Sequence, residues 1–190
     1  MHNVSIPQLR QRAVILKAIR DFFWEKGFLE VETPQLVPLP SLEPYLEVFE
    51  TQLLDQNRQP SRAFLTSSPE YSMKKLLARG SGNLFQICKS YRNAEGVSSR
   101  HNPEFTILEW YRVEADYTDI MNDCEDLFRF IGKTLKSTKN NATQNNKDHH
   151  ETGKYEQRPI NTLRFVPPKC PVPKPVILRS IHKCILTEFI

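Results

Sequence analysis

Arg92 and Phe105 carry the sharpest chemical signal in this 190-residue chain. They stand in Tyr91-Arg92-Asn93 and, after a polar stretch, His101-Asn102-Pro103-Glu104-Phe105. A guanidinium is planar, permanently charged and able to donate two parallel hydrogen bonds, which suits a phosphate. An aromatic ring offers a flat apolar face to a purine. Each residue alone also fits a plainer reading, a surface arginine beside a core phenylalanine. Other groupings carry less. Gly132-Lys133-Thr134 lacks the earlier glycine of a phosphate loop, since position 127 is Leu127. His182 with Cys184 supplies two ligands where a zinc site needs four.

The elements that must position Arg92 and Phe105 follow from patterning. Leu84–Arg92 and Glu104–Glu114 read as strands joined by a polar loop, so the two side chains fall on neighbouring strands facing one concavity. Ahead of them, Ser5, Pro7 and Gln8 open a helix through a Ser-x-x-Gln capping box. Leu9, Ala13, Leu16, Ile19 and Phe23 recur along it, and Gly27 stops it. Phe28-Leu29-Glu30-Val31-Glu32-Thr33-Pro34 alternates as a half-buried strand closed by proline. A proline-rich loop leads to strands near Leu46–Leu53 and Ala63–Thr66. Ser68-Pro69-Glu70 then reads as N-cap, first turn and an acidic second position, opening a short helix through Met73, Leu76 and Leu77 that ends at Gly80. Ile120, Met121, Cys124, Leu127, Phe128 and Ile131 mark a final amphipathic helix. Antiparallel strands with interspersed helices predict an α+β fold.

Composition divides the chain near residue 134. Up to Lys133 there are 16 Lys and Arg against 18 Asp and Glu; beyond it, 10 against 4. The basic character is therefore a property of residues 134–190 and gives the first part no case for nucleic-acid binding. Lys136–Arg158 is Asn-, Lys- and Gln-rich, and six prolines from Pro159 to Pro175 forbid regular structure there. The expectation is one domain over 1–133 and a divergent, mostly disordered 134–190, with a short element somewhere in Val176–Ile190. The N-terminus lacks a secretory pattern and no apolar run approaches the roughly 18 residues of a membrane span. Four widely separated cysteines predict cytoplasmic thiols.

The ordered motifs carry a family resemblance over about 130 residues. Val31-Glu32-Thr33-Pro34 after a long helix resembles motif 1 of class II aminoacyl-tRNA synthetases. Arg92-Asn93-Ala94-Glu95, a loop and His101 to Phe105 resemble their motif 2. Ser68-Pro69-Glu70-Tyr71, Met73-Lys74 and the run His101–Arg112 are similar to the lysine subgroup. Trp110, and a chain that opens directly on the first helix where lysyl-tRNA synthetases place an anticodon-binding barrel, point to the elongation factor P β-lysine ligase family.

That resemblance implies roles. Arg92 would hold the ATP α-phosphate and the amino-acid carboxylate, as the catalytic charge. Asn93, Glu95, His101 and Asn102 would surround the ATP, Glu95 taking the adenine amine and Phe105 stacking on the adenine. Ser68, Pro69 and Glu70 match the substrate-binding Ser-Pro-Glu, where a carboxylate meets a substrate ammonium. Tyr111 matches another substrate contact, and Glu109 lies two residues away on the same strand face. The family implies ATP with Mg2+, elongation factor P as partner, and a homodimer through the motif 1 region, with no strong case for tRNA and none for a membrane. Two departures stand out. Ala94 occupies a place where relatives often carry Glu, in a loop one residue longer than usual. Motif 3, with its Gly-rich arginine-bearing helix start and the acidic magnesium ligands before it, has no match in 134–190. The expectation is a truncated, inactive chain. The alternatives are a lysyl-tRNA synthetase fragment and a non-catalytic, dimerising remnant.

Overall fold

The computed structural model describes residues 4–94, 101–148 and 181–187, with side chains described through Thr138. Helix α1 spans Ile6–Glu25. Ser5 caps it as the spacing predicts: its hydroxyl accepts from the Gln8 N–H while the Gln8 side chain reaches back to the Ser5 N–H. Gly27, at φ +77°, turns the chain out of the helix in a conformation that side-chain-bearing residues rarely adopt. The buried face is Ala18, Ile19, Phe22 and Phe23. The expected stripe therefore holds at Ile19 and Phe23, while Leu9 and Ala13 near the start are exposed.

Two sheets follow. Strand β1 (Leu29–Glu30) is much shorter than the alternating stretch predicts. Its neighbours are β5 (Leu84–Tyr91), β6 (Glu104–Val113) and β7 (Ile181–Thr187), in the order β1-β5-β6-β7. β1 runs parallel to β5; the other pairs are antiparallel. The second sheet is antiparallel: β2 (Leu36–Val37), β4 (Pro60–Leu65) and β3 (Phe49–Leu54). Helix α2 (Glu70–Leu77) joins the sheets, and α3 (Tyr117–Asp148) returns across the first one. The arrangement is α+β.

One face of the first sheet holds the main core. Phe85 and Trp110, opposed on β5 and β6, pack with Phe23, which stacks on Phe85 at a 4.8 Å centroid separation. Ile120, Leu127 and Ile131 of α3 close this core from outside. Met121 and Phe128, expected on the same stripe, are exposed, so the buried face of α3 is narrower than its apolar pattern. Between α1 and α3 lies a buried charge. Asp123 is 1% exposed and accepts from Lys26 and Arg112, each at 3.1 Å.

The final helix runs past the compositional break at residue 134, and Ile181–Thr187 forms a strand within Val176–Ile190, where a short element is expected. α3 runs on to Asp148, and Leu135 still touches the core. A helix already nucleated gains one hydrogen bond for each residue added, so polar residues with nothing to bury can extend it. Ile181–Thr187 lies along the outer edge of β6, in register from Val113↔Ile181 to Ile107↔Thr187. An unpaired strand edge is a template for such pairing. The rest of 134–190, including the proline-rich part, lies outside the described residues, as do the side chains of His182 and Cys184. Among the described residues, no helix is long and apolar enough to cross a membrane.

Candidate functional site

The β5–β6 register assigns its residues to two faces. Phe85 with Trp110 and Ile87 with Leu108 face the helices. Ser90 with Phe105, Cys88 with Ile107, Gln86 with Glu109 and Leu84 with Tyr111 face the other way. That second face is mixed. Leu84 and Tyr111 pack on Met73 and Leu77 of α2. Gln86, Ser90 and Glu109, however, are polar and buried on it, which is unusual for a strand pair and marks it as the candidate site.

At its inner end Glu109 and Tyr111 are both 0% exposed. Tyr111 donates to Glu109 Oε1 at 2.7 Å, and Ser68 donates to Glu109 Oε2 at 2.9 Å. Ser68 reaches this point because the turn after β4 is strapped down. The Tyr91 N–H donates to Thr66 O at 3.0 Å and the Thr66 hydroxyl to Ser68 O at 2.6 Å. Pro69 is fully buried. The helix begins one residue later than the Ser-Pro-Glu pattern predicts, at Glu70 with Pro69 as N-cap, yet the Ser68 hydroxyl still accepts from the Glu70 N–H at 3.2 Å. Glu70 bonds Lys74 one turn on at 2.6 Å.

Burial pushes the Tyr111 phenol well above its ordinary value, and its hydrogen bond to Glu109 and the charges of Glu109 and Glu70 push the same way. Two carboxylates thus bear on one phenol, a field that favours a cation. Burial likewise raises the Cys88 thiol to about 11, against the opposing influence of Gln35, Gln86 and Ser90 beside it.

At the outer end Arg92 leaves β5 with its N–H donating to Pro103 O at 2.9 Å. Its guanidinium lies over the Phe105 ring, 5.1 Å from the centroid, so one ring face is already covered by a cation. Asn93 pairs with Glu47, and its side chain accepts from the Ala94 N–H. Ala94 itself sits at φ +58°, bending the chain into the hairpin loop. Asn93, His101 and Asn102 are exposed at this mouth, and Glu95 lies outside the described residues. Phe105 and Glu109 are four residues apart on one strand, or roughly 13 Å at the usual rise. The face therefore runs from a guanidinium to a pair of carboxylates.

A family model described as tRNA synthetases class II (D, K and N) matches residues 2–167. The chain belongs to that class II synthetase family. Among curated class II relatives, it is 47% identical over 130 residues to the elongation factor P–(R)-β-lysine ligase of Mannheimia succiniciproducens. It is 45% identical over 132 residues to that of Vibrio vulnificus, and 43% over 130 residues to that of Photobacterium profundum. These matches cover 68–69% of this chain and 40–41% of each relative, so the chain spans about two fifths of the length of the ligases it resembles.

For a class II synthetase-like chain the relevant cofactors are ATP and Mg2+. Arg92 has the charge a nucleotide needs, whereas Phe105 is only 8% exposed and lies under that guanidinium. Among the described residues, no group of three or more His, Cys, Asp or Glu that could hold a metal ion comes together. Sequence reasoning missed Gln86 and Thr33 on the site face. Their Thr33 hydroxyl to Gln86 Oε1 bond, at 3.0 Å, is buried. The available signal was the hairpin register, which sets Gln86 opposite Glu109.

Proposed function

We infer that this chain carries the nucleotide- and amino-acid-binding part of an ATP-dependent aminoacyl ligase of the elongation factor P β-lysine type. The observation that carries this reading is the polarity of the site face, with Arg92 at one end and Glu109 beside Glu70 at the other. A diamino acid is complementary to it: carboxylate toward Arg92, side-chain or β-ammonium toward Glu109, Ser68 and Tyr111. The curated relatives are named for (R)-β-lysine and elongation factor P, which favours these as amino acid and acceptor. Free lysine as the amino acid and a lysine side chain as the acceptor belong to our own reading. Arg92 would orient the carboxylate and hold the α-phosphate, neutralising charge where the two meet, while Phe105 supplies the apolar surface under the adenine. Magnesium belongs to the family's chemistry.

The division into a synthetase-like 1–133 and a divergent 134–190, a homodimer through the motif 1 region and a cytoplasmic location belong to the same reading. So does low activity. Residues 134–190 contain no Gly-rich, arginine-bearing segment, and loss of one preorganised charge-stabilising donor commonly costs about 10²–10³ in rate. As a 190-residue polypeptide it should bind nucleotide weakly and fail to catalyse amino-acid-dependent pyrophosphate exchange.

The test is ATP titration of the chain and of Arg92→Ala, beside exchange assays with β-lysine and lysine. Weak ATP binding lost in the variant, without exchange, supports the reading. Robust exchange would overturn the inactivity. A second reading, a tRNA-charging lysine enzyme, draws on the family model, which takes in the K enzymes. Acylation of tRNA rather than elongation factor P would favour it.

A further inference from the structure

Gln86 holds an unsatisfied donor in the middle of the site face. The residue is 1% exposed. Its Oε1 accepts from the Thr33 hydroxyl at 3.0 Å, which turns Nε2 the other way. That nitrogen finds no hydrogen-bond partner among the described residues. Cys88, two residues along the same face, has this amide as a hydrogen-bonding neighbour, but a protonated thiol is a weak acceptor and satisfies the donor poorly. Directly across the ladder stands Glu109. Opposed residues on an antiparallel pair bring their Cβ atoms to about 4.5–5.5 Å, within reach of two such side chains.

A buried donor without an acceptor lowers stability, and two apolar side chains in place of Thr33 and Gln86 would remove that defect. Its presence makes sense if a ligand changes what holds Glu109. The Ser68 and Tyr111 hydroxyls both donate to Glu109. An arriving ammonium group is all donor and no acceptor, so it competes with those hydroxyls for the same carboxylate lone pairs. As a hydroxyl gives way, the carboxylate is released from one of its anchors.

We propose that Gln86 is a positioning residue for Glu109 in the ligand-bound site: its amide donates across the β5–β6 ladder and holds the carboxylate aimed at the ammonium. The proposal rests on the ammonium reading of the Glu109 end. It makes Thr33 the group that sets which way the amide points, and it explains why a neutral amide rather than an aliphatic residue occupies the core of the strand.

The experiment compares the 190-residue chain with Thr33→Val and with Thr33→Val/Gln86→Met. Lysine binding is read by ligand-observed NMR, and thermal unfolding is followed in parallel. The single variant keeps the amide but loses the hydroxyl that orients it, so its lysine affinity should fall between those of the parent and the double variant. The double variant should bind at least tenfold more weakly, the usual consequence of losing one hydrogen bond to a charged group. Its unfolding midpoint should stay level or rise, since both polar partners leave together. Affinity and midpoint falling together would make Gln86 a structural residue and overturn the proposal, as would unchanged affinity in the double variant. Failure of the parent chain itself to bind lysine would instead sink the ammonium reading, and this proposal with it.

Discussion

The Tyr111 phenol and the Glu109 carboxylate, two residues apart on one strand, share a 2.7 Å hydrogen bond while neither side chain is exposed. Such a pair excludes water from a carboxylate and leaves it dependent on protein donors. Ser68, from a turn 41 residues earlier, supplies the second one. The candidate site is therefore organised around a carboxylate held by two of the protein's own hydroxyls.

Tyr111 should report on this arrangement at alkaline pH. Burial, then Glu109, hold its proton on above the value of about 10 at which an unfolded tyrosine ionises. The folded state thus binds more protons than the unfolded state above that pH, and stability falls as pH rises further. Below it the contribution is complete. Tyr111→Phe should cost about 1–3 kcal/mol at neutral pH, because a buried carboxylate oxygen loses its donor. The variant should also show a shallower loss of stability above pH ~10 in urea denaturation.

Cys88 should be a slow nucleophile. Its thiol lies at about 11 because of burial, so at pH 8 almost none is thiolate. Alkylation by iodoacetamide, followed by mass spectrometry, should be much slower in the folded protein than in urea. The thiol's contribution to stability is full below the unfolded value of roughly 8.5 and is lost as pH rises toward 11.

Two ion pairs should behave oppositely. Asp123 is buried and accepts from Lys26 and Arg112 at 3.1 Å each. Asp123→Ala removes both bonds, but Lys26 keeps Asp126 at 3.0 Å and Arg112 reaches solvent, so the cost should be about 1–3 kcal/mol. Arg62 bonds Glu50 through two nitrogens, at 2.7 and 2.8 Å, but the pair stands in solvent. Arg62→Ala should leave the thermal midpoint unmoved. Equal losses in the two variants would contradict the burial-based distinction.

Phe23 should be the costliest core position in α1. It is 0% exposed and its ring meets Phe22, Phe28, Phe85 and Trp110. Phe23→Ala should cost about 3–5 kcal/mol in chemical denaturation. Leu9→Ala, on the exposed first half of the same helix, should cost well under 1 kcal/mol by the same measurement.

Local signals were enough to read much of this chain. Ser5, Gln8 and Gly27 bound α1 through hydrogen bonds and backbone angles that depend only on near neighbours. The β5–β6 hairpin, the short helix after Ser-Pro-Glu and the likeness to class II synthetases likewise follow from ordered residues. Boundaries were less legible. The alternation after Gly27 continues to Thr33, but only Leu29 and Glu30 pair, because pairing depends on how far β5 runs alongside. Composition marked 134 as a break, yet α3 passes through it, since Leu135 still has a core to touch.

What only the tertiary structure decided is which side chains share a face and what satisfies them there. The motif named Ser68, Glu70, Glu109 and Tyr111, but Ser68 meets Glu109, 41 residues away, only because Tyr91 of β5 holds the turn at Thr66 against the sheet. The same holds for Asp123, whose place on an amphipathic helix gives no hint that Lys26 and Arg112 converge on it. Gln86 is the clearest case. In sequence it is one polar residue in an apolar strand; the hairpin register sets it opposite Glu109, and Thr33 turns its amide. Register is fixed by the packing of the whole sheet, and a shift of one residue would have sent Gln86 and Glu109 to the helix-facing side.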